Sequence, residues 1–411
     1  MNEAVEVAIV GAGVGGLTLA LALHEAGIGC RVYEAVPRLE PLGVGINLLP
    51  HAVAQLARLG LLDALARVAV TTRHAAFYNR HGQFVYREPL GRDAGHAMPQ
   101  FSIHRGDLQD VLLSAVRARL GEDAVRESHR CTGFEQDDDG VAIAFQDPHG
   151  AACEPVRARV LVGCDGIHSV VRKALHPHEG PPRYSGVNMW RGTVAWPPFL
   201  DGATMVRAGW LSVGKMVVYP IREAIDAAGR QLVNWVAEIE RPQPAKRDWS
   251  NRGRLEDFHP VFADWRFDWL DVSEMIERTP LILEYPMVDQ DPLPRWSFGR
   301  ATLLGDAAHP MVPRGSNGAG QSILDVPCLV EQLQRHGLTA QALSRYDAIR
   351  RPATAQVVLA NRTMPPDAIL QRVHELTGGE RFGHIDDVIG RDELARISDA
   401  YKVVSGLRKA D

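Results

Sequence analysis

The sequence predicts an α/β protein: a Rossmann-like nucleotide-binding domain, an antiparallel β-sheet domain inserted into it, and a C-terminal helical tail. Three observations carry this reading. A β run, a glycine-rich turn, a helix and a second β run follow one another over residues 8–35, AIVGAGVGGLTLALALHEAGIGCRVYEA. Two later β runs end in Asp165-Gly166 and Gly305-Asp306. Between them, residues 176–295 turn rich in tryptophan, tyrosine and β-branched residues that alternate with polar ones.

Length and composition are compatible with that architecture. The chain has 411 residues, 45% of them hydrophobic and 23% charged, enough for a large core and too long for one ordinary domain. The formal charge of -5 is spread without basic blocks, which argues against nucleic acid and anionic membranes as partners. Five cysteines, Cys30, Cys131, Cys153, Cys164 and Cys328, form no CxxC pair and read as thiols of a reducing compartment. The start, MNEAVEVAIVGAG, has acids where a signal peptide carries positive charge, so a cytoplasmic protein is expected.

In the first unit, VEVAIV suits a buried parallel strand, and Gly11, Gly13 and Gly16 fit GxGxxG. Gly11 permits the tight turn, Gly13 lets a pyrophosphate approach the backbone, and Gly16 lets the next helix pack close. That helix, LTLALALHEAG, turns its free N–H groups toward phosphate and stops at Gly27. The strand CRVYEA then delivers Glu34, whose carboxylate is placed to accept from an adenosine ribose and would repel a 2'-phosphate. FAD and NAD share this fingerprint, so the choice between them must come from elsewhere.

Two stretches supply it: RVLVGCDGIHSVVRKAL, residues 159–175, and GRATLLGDAAHPMVPRGSNGAGQSILD, residues 299–325. Asp306 stands where parallel sheets bind ligands, at a strand's carboxyl end, and its carboxylate suits hydroxyl donors. The loop of Pro313, Gly315, Asn317 and Gly318 enters a helix, so its N–H groups are able to stabilise negative charge.

With GxGxxG, DG and GD present in that order, the sequence resembles the class A, single-component FAD-dependent aromatic hydroxylases, the para-hydroxybenzoate hydroxylase superfamily. The resemblance implies a bound FAD, with Asp306 on its ribityl chain. It also implies that Asp165, Gly166 and Arg172 support the pyrophosphate region and NAD(P)H use. GVGINLLPHA, residues 43–52, resembles the loop beside the flavin ring and brings in Gly45. IHRGDLQDVLL resembles the helix whose arginine, here Arg105, meets FAD phosphate, and RYDAIRRPATAQVVLANR the closing helix. Within the superfamily, PLGVGIN, SIHRGDLQ, MWRGTVAW, LVNWV, FADW and YPMVDQDPLP are most similar to bacterial phenazine monooxygenases.

The implied division is an FAD-binding domain of residues 1–75, 100–175 and 296–362, a substrate domain of 76–99 and 176–295, and a helical tail of 363–411. The implied reaction is hydroxylation of a small planar aromatic or heteroaromatic ring, phenazine-like and carboxylated in the narrowest version. It uses NADH or NADPH, O2 and a flavin C4a-hydroperoxide. The protein then has to orient the ring and exclude water, and neither a Ser-His-Asp triad nor a metal cluster is called for. Trp190, Tyr219 and Trp235 are candidates to stack on the ring, core packing being the alternative for each. Met311 and Pro313 are candidates for ring contact, and Arg314 for attracting an anion, with a solvent-facing arginine as the other reading.

Two departures from the superfamily stand out. The histidine that several phenol hydroxylases carry before the YP pair is missing from KMVVYPI, which leaves His51, Lys215 and Tyr219 as candidate bases. Pro327 falls within the helix after GSNGAGQSILD and is expected to end or kink it. His309 is expected to hold backbone and Asp325 to be structural. The tail reads as a surface helical appendage, with capping of the active-site entrance or self-association as alternatives, so the state is a monomer or homodimer. A related flavoprotein of non-hydroxylating chemistry and a non-catalytic FAD-fold binding protein remain the competing functions.

Overall fold

The computed structural model describes residues 5–39, 43–242, 252–363 and 366–404. Pro41 and Leu42 of the PLGVGIN stretch, and residues 364–365 and 405–411 of the tail, lie outside them.

The apolar run Val5–Val10 forms the centre of a seven-stranded sheet, paired in parallel with Cys30–Tyr33 on one side and Val156–Gly163 on the other. Val156–Gly163 divides its far edge. Its first half pairs antiparallel with Val141–Gln146, and Leu161 to Gly163 pair in parallel with Ala301–Leu303. Three neighbouring strands therefore end side by side, and the glycine turn, Asp165 and Asp306 leave them at one edge, where open parallel sheets bind ligands.

The helices Val14–Glu25 and Gly318–His336 cover this layer at close range: a Cβ on Gly15 would lie 2.3 Å from Ser322 Oγ. Of the two outcomes expected of Pro327, an end or a kink, the first does not occur: the second helix runs on to His336. Ile323 and Val326 on one side of the proline and Leu329, Val330 and Leu333 on the other are buried in the same core. That burial outweighs the roughly 3 kcal/mol a helix-interior proline costs.

A second seven-stranded sheet runs in the order Ile282–Asp289, Arg183–Trp196, Gln231–Glu240, Lys215–Arg222, Thr204–Gly209, His74–Tyr78, Phe84–Pro89. Its side chains alternate between faces. The outer face packs Trp190, Val194, Met216, Val218, Val233 and Trp235 against Phe258, Phe262, Trp265 and Met275. The inner face carries Met189, Arg191, Lys215, Tyr219, Asn234 and Glu238 and looks toward Gly45. A short sheet of Gly45–Leu48, Gln100–His104 and Val70–Thr72 lies between the layers.

The tail is not a surface appendage. Ile369, Leu370 and Val373 of Ala368–Thr377, with Ile385, Ile389 and Leu394, are buried against Ala75, Phe77 and Val85 of the second sheet.

Candidate active site

The glycine turn is set by close approach. Gly11 has φ +105° and a Cβ there would sit 2.4 Å from Cys164 O; one on Gly16 would sit 2.0 Å from Gly11 O. Gly13, by contrast, faces open space and caps Val14–Glu25 without any side-chain hydrogen bond, which leaves the helix N-terminus accessible to an anion. Glu34 accepts from Ala12 N at 2.8 Å and Val36 N at 3.1 Å. Arg105 is exposed at the first position of Arg105–Leu120. One turn on, Gln109 Nε2 donates to Ala12 O at 2.8 Å. Gln109 was missed in the sequence, although its i+4 spacing from Arg105 puts both on one helix face. An open helix N-terminus, an exposed arginine and a carboxylate at the strand end are the donors and acceptors a dinucleotide needs.

At the second motif, Asp165 caps the helix Val170–Leu175, accepting from Ser169 Oγ and, at 2.7 Å, from Val170 N; burial pushes its pKa up. Gly166 has φ +76° and open space where a Cβ would stand. Arg172 is only 3% exposed, with Nη1 donating to Ala307 O and Ala308 O at 2.9 Å and Nε to Glu179 at 2.7 Å. It ties the second motif to the third, a buried support for the turn that Asp165 and Gly166 form.

Asp306 is exposed, its Oδ1 3.8 Å from where a Cβ on Gly318 would stand, beside the N-terminus of Gly318–His336. Behind it, fully buried Asp325 accepts from Gly305 N at 3.0 Å, His309 Nε2 at 2.6 Å and Arg350 Nε at 2.7 Å. Burial raises its pKa, but the His309 and Arg350 charges outweigh that and hold it below the usual range. Asp325 thus holds the Gly305 backbone, and His309, expected to hold backbone itself, reaches it only through Asp325. In the following loop Met311 and Arg314 are half-buried, Pro313 is exposed, and Asn317 is buried. Gly315 and Ser316 have φ +67° and +59°.

The second sheet meets this layer at Gly45. Asn234 Oδ1 accepts from Gly45 N at 2.7 Å, while Arg191 Nη2 and Tyr219 OH donate to Gly45 O at 2.8 and 2.9 Å. Tyr219 is therefore a clamp on the backbone through its hydroxyl, with its side chain buried against Met205 and Ile221; burial raises its pKa despite nearby Arg191. Trp190 and Trp235 leave the list of ring contacts. Strand alternation turns them to the outer face, where Trp190 stacks on Phe258 at 5.1 Å and Trp235 Nε1 donates to Thr279 Oγ1 at 2.8 Å.

The three candidate bases separate clearly. Lys215 is 2% exposed and its Nζ is engaged by Glu238 Oε2 at 3.0 Å and Asp367 Oδ2 at 2.5 Å, so it donates and has no role as a proton acceptor. Tyr219 spends its proton on Gly45. His51 alone has two ring nitrogens with no partner among the described residues. Burial, then the His96 and Arg350 charges, push its pKa down to about 4. A Cβ on Gly320 would lie 3.5 Å from its Nε2. Arg191, Arg207, Asn234, Glu238 and Asp367 were missed because strand and tail polar residues carry no motif.

The chain belongs to the family of the FAD binding domain, whose model matches residues 4–361. It is an FAD-dependent monooxygenase. It is 45% identical to the phenazine 1,6-dicarboxylic acid hydroxylase PhzS of Lysobacter antibioticus, over 87% of this chain and 89% of that one. It is 35% identical to the 3-amino-4-hydroxybenzoate 2-monooxygenase of Streptomyces cremeus, over 87% and 86%. Among solved structures, Klebsiella pneumoniae HpxO complexed with FAD and uric acid has the same fold, with TM-score 0.76 and 24% identity over 98% of each chain.

Proposed function

We propose that the chain hydroxylates a small, planar, carboxylated aromatic or heteroaromatic ring, with NADH or NADPH as reductant and O2 as oxidant, in the cytoplasm. The observation that carries this reading is the meeting at Gly45 of two surfaces: the strand ends with the three motifs, and a sheet face bearing Arg191, Arg207 and Lys215. Of these cations, Lys215 and Arg207 face Glu238 and Asp367, whereas Arg191 has no carboxylate within ion-pair range among the described residues. An anionic ring is the substrate such a chamber favours.

In this reading residues 1–75, 100–175 and 296–362 hold FAD, which supplies the redox and oxygen-transfer chemistry. Gly11, Gly13 and Gly16 admit its pyrophosphate, Glu34 its adenosine ribose, and Arg105 its phosphate. Asp165 and Gly166 shape the turn beside it, Asp306 takes the ribityl hydroxyls, and Gly45, Pro313, Gly315, Asn317 and Gly318 border the ring. Residues 76–99 and 176–295 roof the chamber. Met311 and Pro313 contact the substrate ring, Arg314 draws its carboxylate, and His51, the one of the three candidate bases whose ring nitrogens have no partner among the described residues, accepts a proton. Clamping of Gly45 and the apolar inner-face residues Met189 and Val236 keep water out.

The test is oxidation of NADH and NADPH by the FAD-loaded protein with phenazine carboxylates, salicylate and hydroxybenzoates, alongside product mass. Stimulation by one of these with a gain of one oxygen is expected. A protein that holds FAD yet responds to none of them overturns the substrate class.

A further inference from the structure

We propose that Tyr401, in the last described helix, positions the cofactor-facing loop of residues 313–318, and so makes the C-terminal tail part of the active site. The match to the family model ends at residue 361, before Tyr401.

Tyr401 is 6% exposed on Arg391–Val404, and its hydroxyl lies at the junction of three segments. It accepts from Asn317 Nδ2 at 2.6 Å and donates to Asn361 Oδ1 at 2.7 Å, with Arg314 O at 3.4 Å. The loop backbone runs directly against it: a Cβ on Gly315 would stand 1.7 Å from the hydroxyl oxygen. Gly315 and Ser316 both hold positive φ there, +67° and +59°, a conformation costly for serine unless its surroundings impose it. Asn317, at the N-cap of Gly318–His336, makes no side-chain capping bond of its own. The tyrosine from the tail is the partner recorded for its amide nitrogen.

The helix carrying Tyr401 is itself anchored to the second sheet. Ser398 Oγ and Lys402 Nζ both meet Glu88, the lysine at 2.8 Å. Upstream, Asp367 pairs with Lys215 at 2.5 Å and Arg207 at 3.2 Å. The tail therefore spans from the roof to the loop, and the tyrosine hydroxyl is its contact with the loop. Loss of that hydroxyl frees Asn317 and removes a constraint on the strained Ser316 beside it while leaving the ring packed.

This inference rests on the reading that residues 313–318 face FAD, but its test does not need a substrate. FAD is titrated into apoprotein of wild type, Tyr401→Phe and Asn361→Ala, with flavin fluorescence giving the dissociation constant and circular dichroism the apoprotein Tm. A hydrogen bond of ordinary strength predicts a dissociation constant raised about five- to tenfold in each variant. The double variant shows no further rise, and the apo Tm of Tyr401→Phe changes little. A lowered apo Tm with FAD affinity within twofold of wild type in both single variants makes the tyrosine merely structural and overturns the proposal. A failed substrate panel with these FAD shifts intact leaves the positioning role standing.

Discussion

The two faces of the second sheet are made by the same strands and have opposite chemistry. On Gln231–Glu240, Val233, Trp235 and Ala237 point outward into an aromatic core, while Asn234, Val236 and Glu238 point inward to the site. On Lys215–Arg222, Met216 and Val218 point outward, and Lys215 and Tyr219 inward. The outer face is held by burial and ring packing, which tolerate no charge. The inner face is held by ion pairs and by three hydrogen bonds on Gly45, which tolerate no missing partner. Because the period is two, a slip of one residue would exchange the faces, so the outer core also fixes which groups reach the site.

The largest effect is expected where the inner face holds buried charge. Lys215→Met leaves Glu238 without its cation and Asp367 with Arg207 alone, and should cost about 3–5 kcal/mol in urea unfolding. Adding Glu238→Gln should recover most of the loss, since Asp367 keeps Arg207. Should the single change cost under about 1 kcal/mol, a figure typical of exposed pairs, the inner face is wetter than its geometry indicates and the contrast between faces weakens.

His51 sharpens the comparison, since its enclosed ring nitrogens lack the partners Lys215 has. Its folded pKa of about 4 lies below the ordinary 6.5, so the unfolded chain binds the proton more readily. Stability is therefore intact above about pH 6.5 and falls as pH drops toward 4, by about 2–3 kcal/mol in total. Unfolding free energies of wild type and His51→Gln between pH 7 and 4 check this: the variant should lose that part of the slope. Parallel slopes would mean that folding leaves the His51 pKa near its ordinary value.

The nucleotide-binding layer was legible because its signals are local. The glycines, Asp165 and Asp306 each follow their strand within a few residues, and a turn or a strand end is a short-range event. The inner face was not legible, since alternation says that Trp235 and Asn234 differ in direction but not which of them faces the site. What decides it is the cover supplied by distant segments, Phe258 and Met275 outside and Gly45 within. Tyr401 was hidden for the same reason, its contact with Asn317 bridging 84 residues. The outer assignment has its own test: Trp235→Phe, which loses the bond to Thr279 and some volume, should cost about 1–2 kcal/mol. FAD affinity and coupled turnover should stay within twofold, whereas a changed substrate KM would bring Trp235 back toward the ring.

The smallest effect is expected at Tyr219, where the two readings of the inner face differ most in kind. If its hydroxyl only clamps Gly45, Tyr219→Phe removes one of two donors to that carbonyl, and Arg191 still satisfies it. The cost is then about 1 kcal/mol of stability, with kcat reduced less than tenfold and an unchanged pH profile. A hydroxyl that takes a proton from the substrate would instead be worth about 10²–10⁴-fold in kcat, and its loss would remove one limb of the pH profile. Burial argues for the first outcome, because it raises the pKa of Tyr219 and keeps the proton on the oxygen that Gly45 needs. A clamp of this kind holds Gly45 in register with the sheet; with Gly45 bordering the flavin as proposed, its removal should show first in FAD affinity and only then in rate.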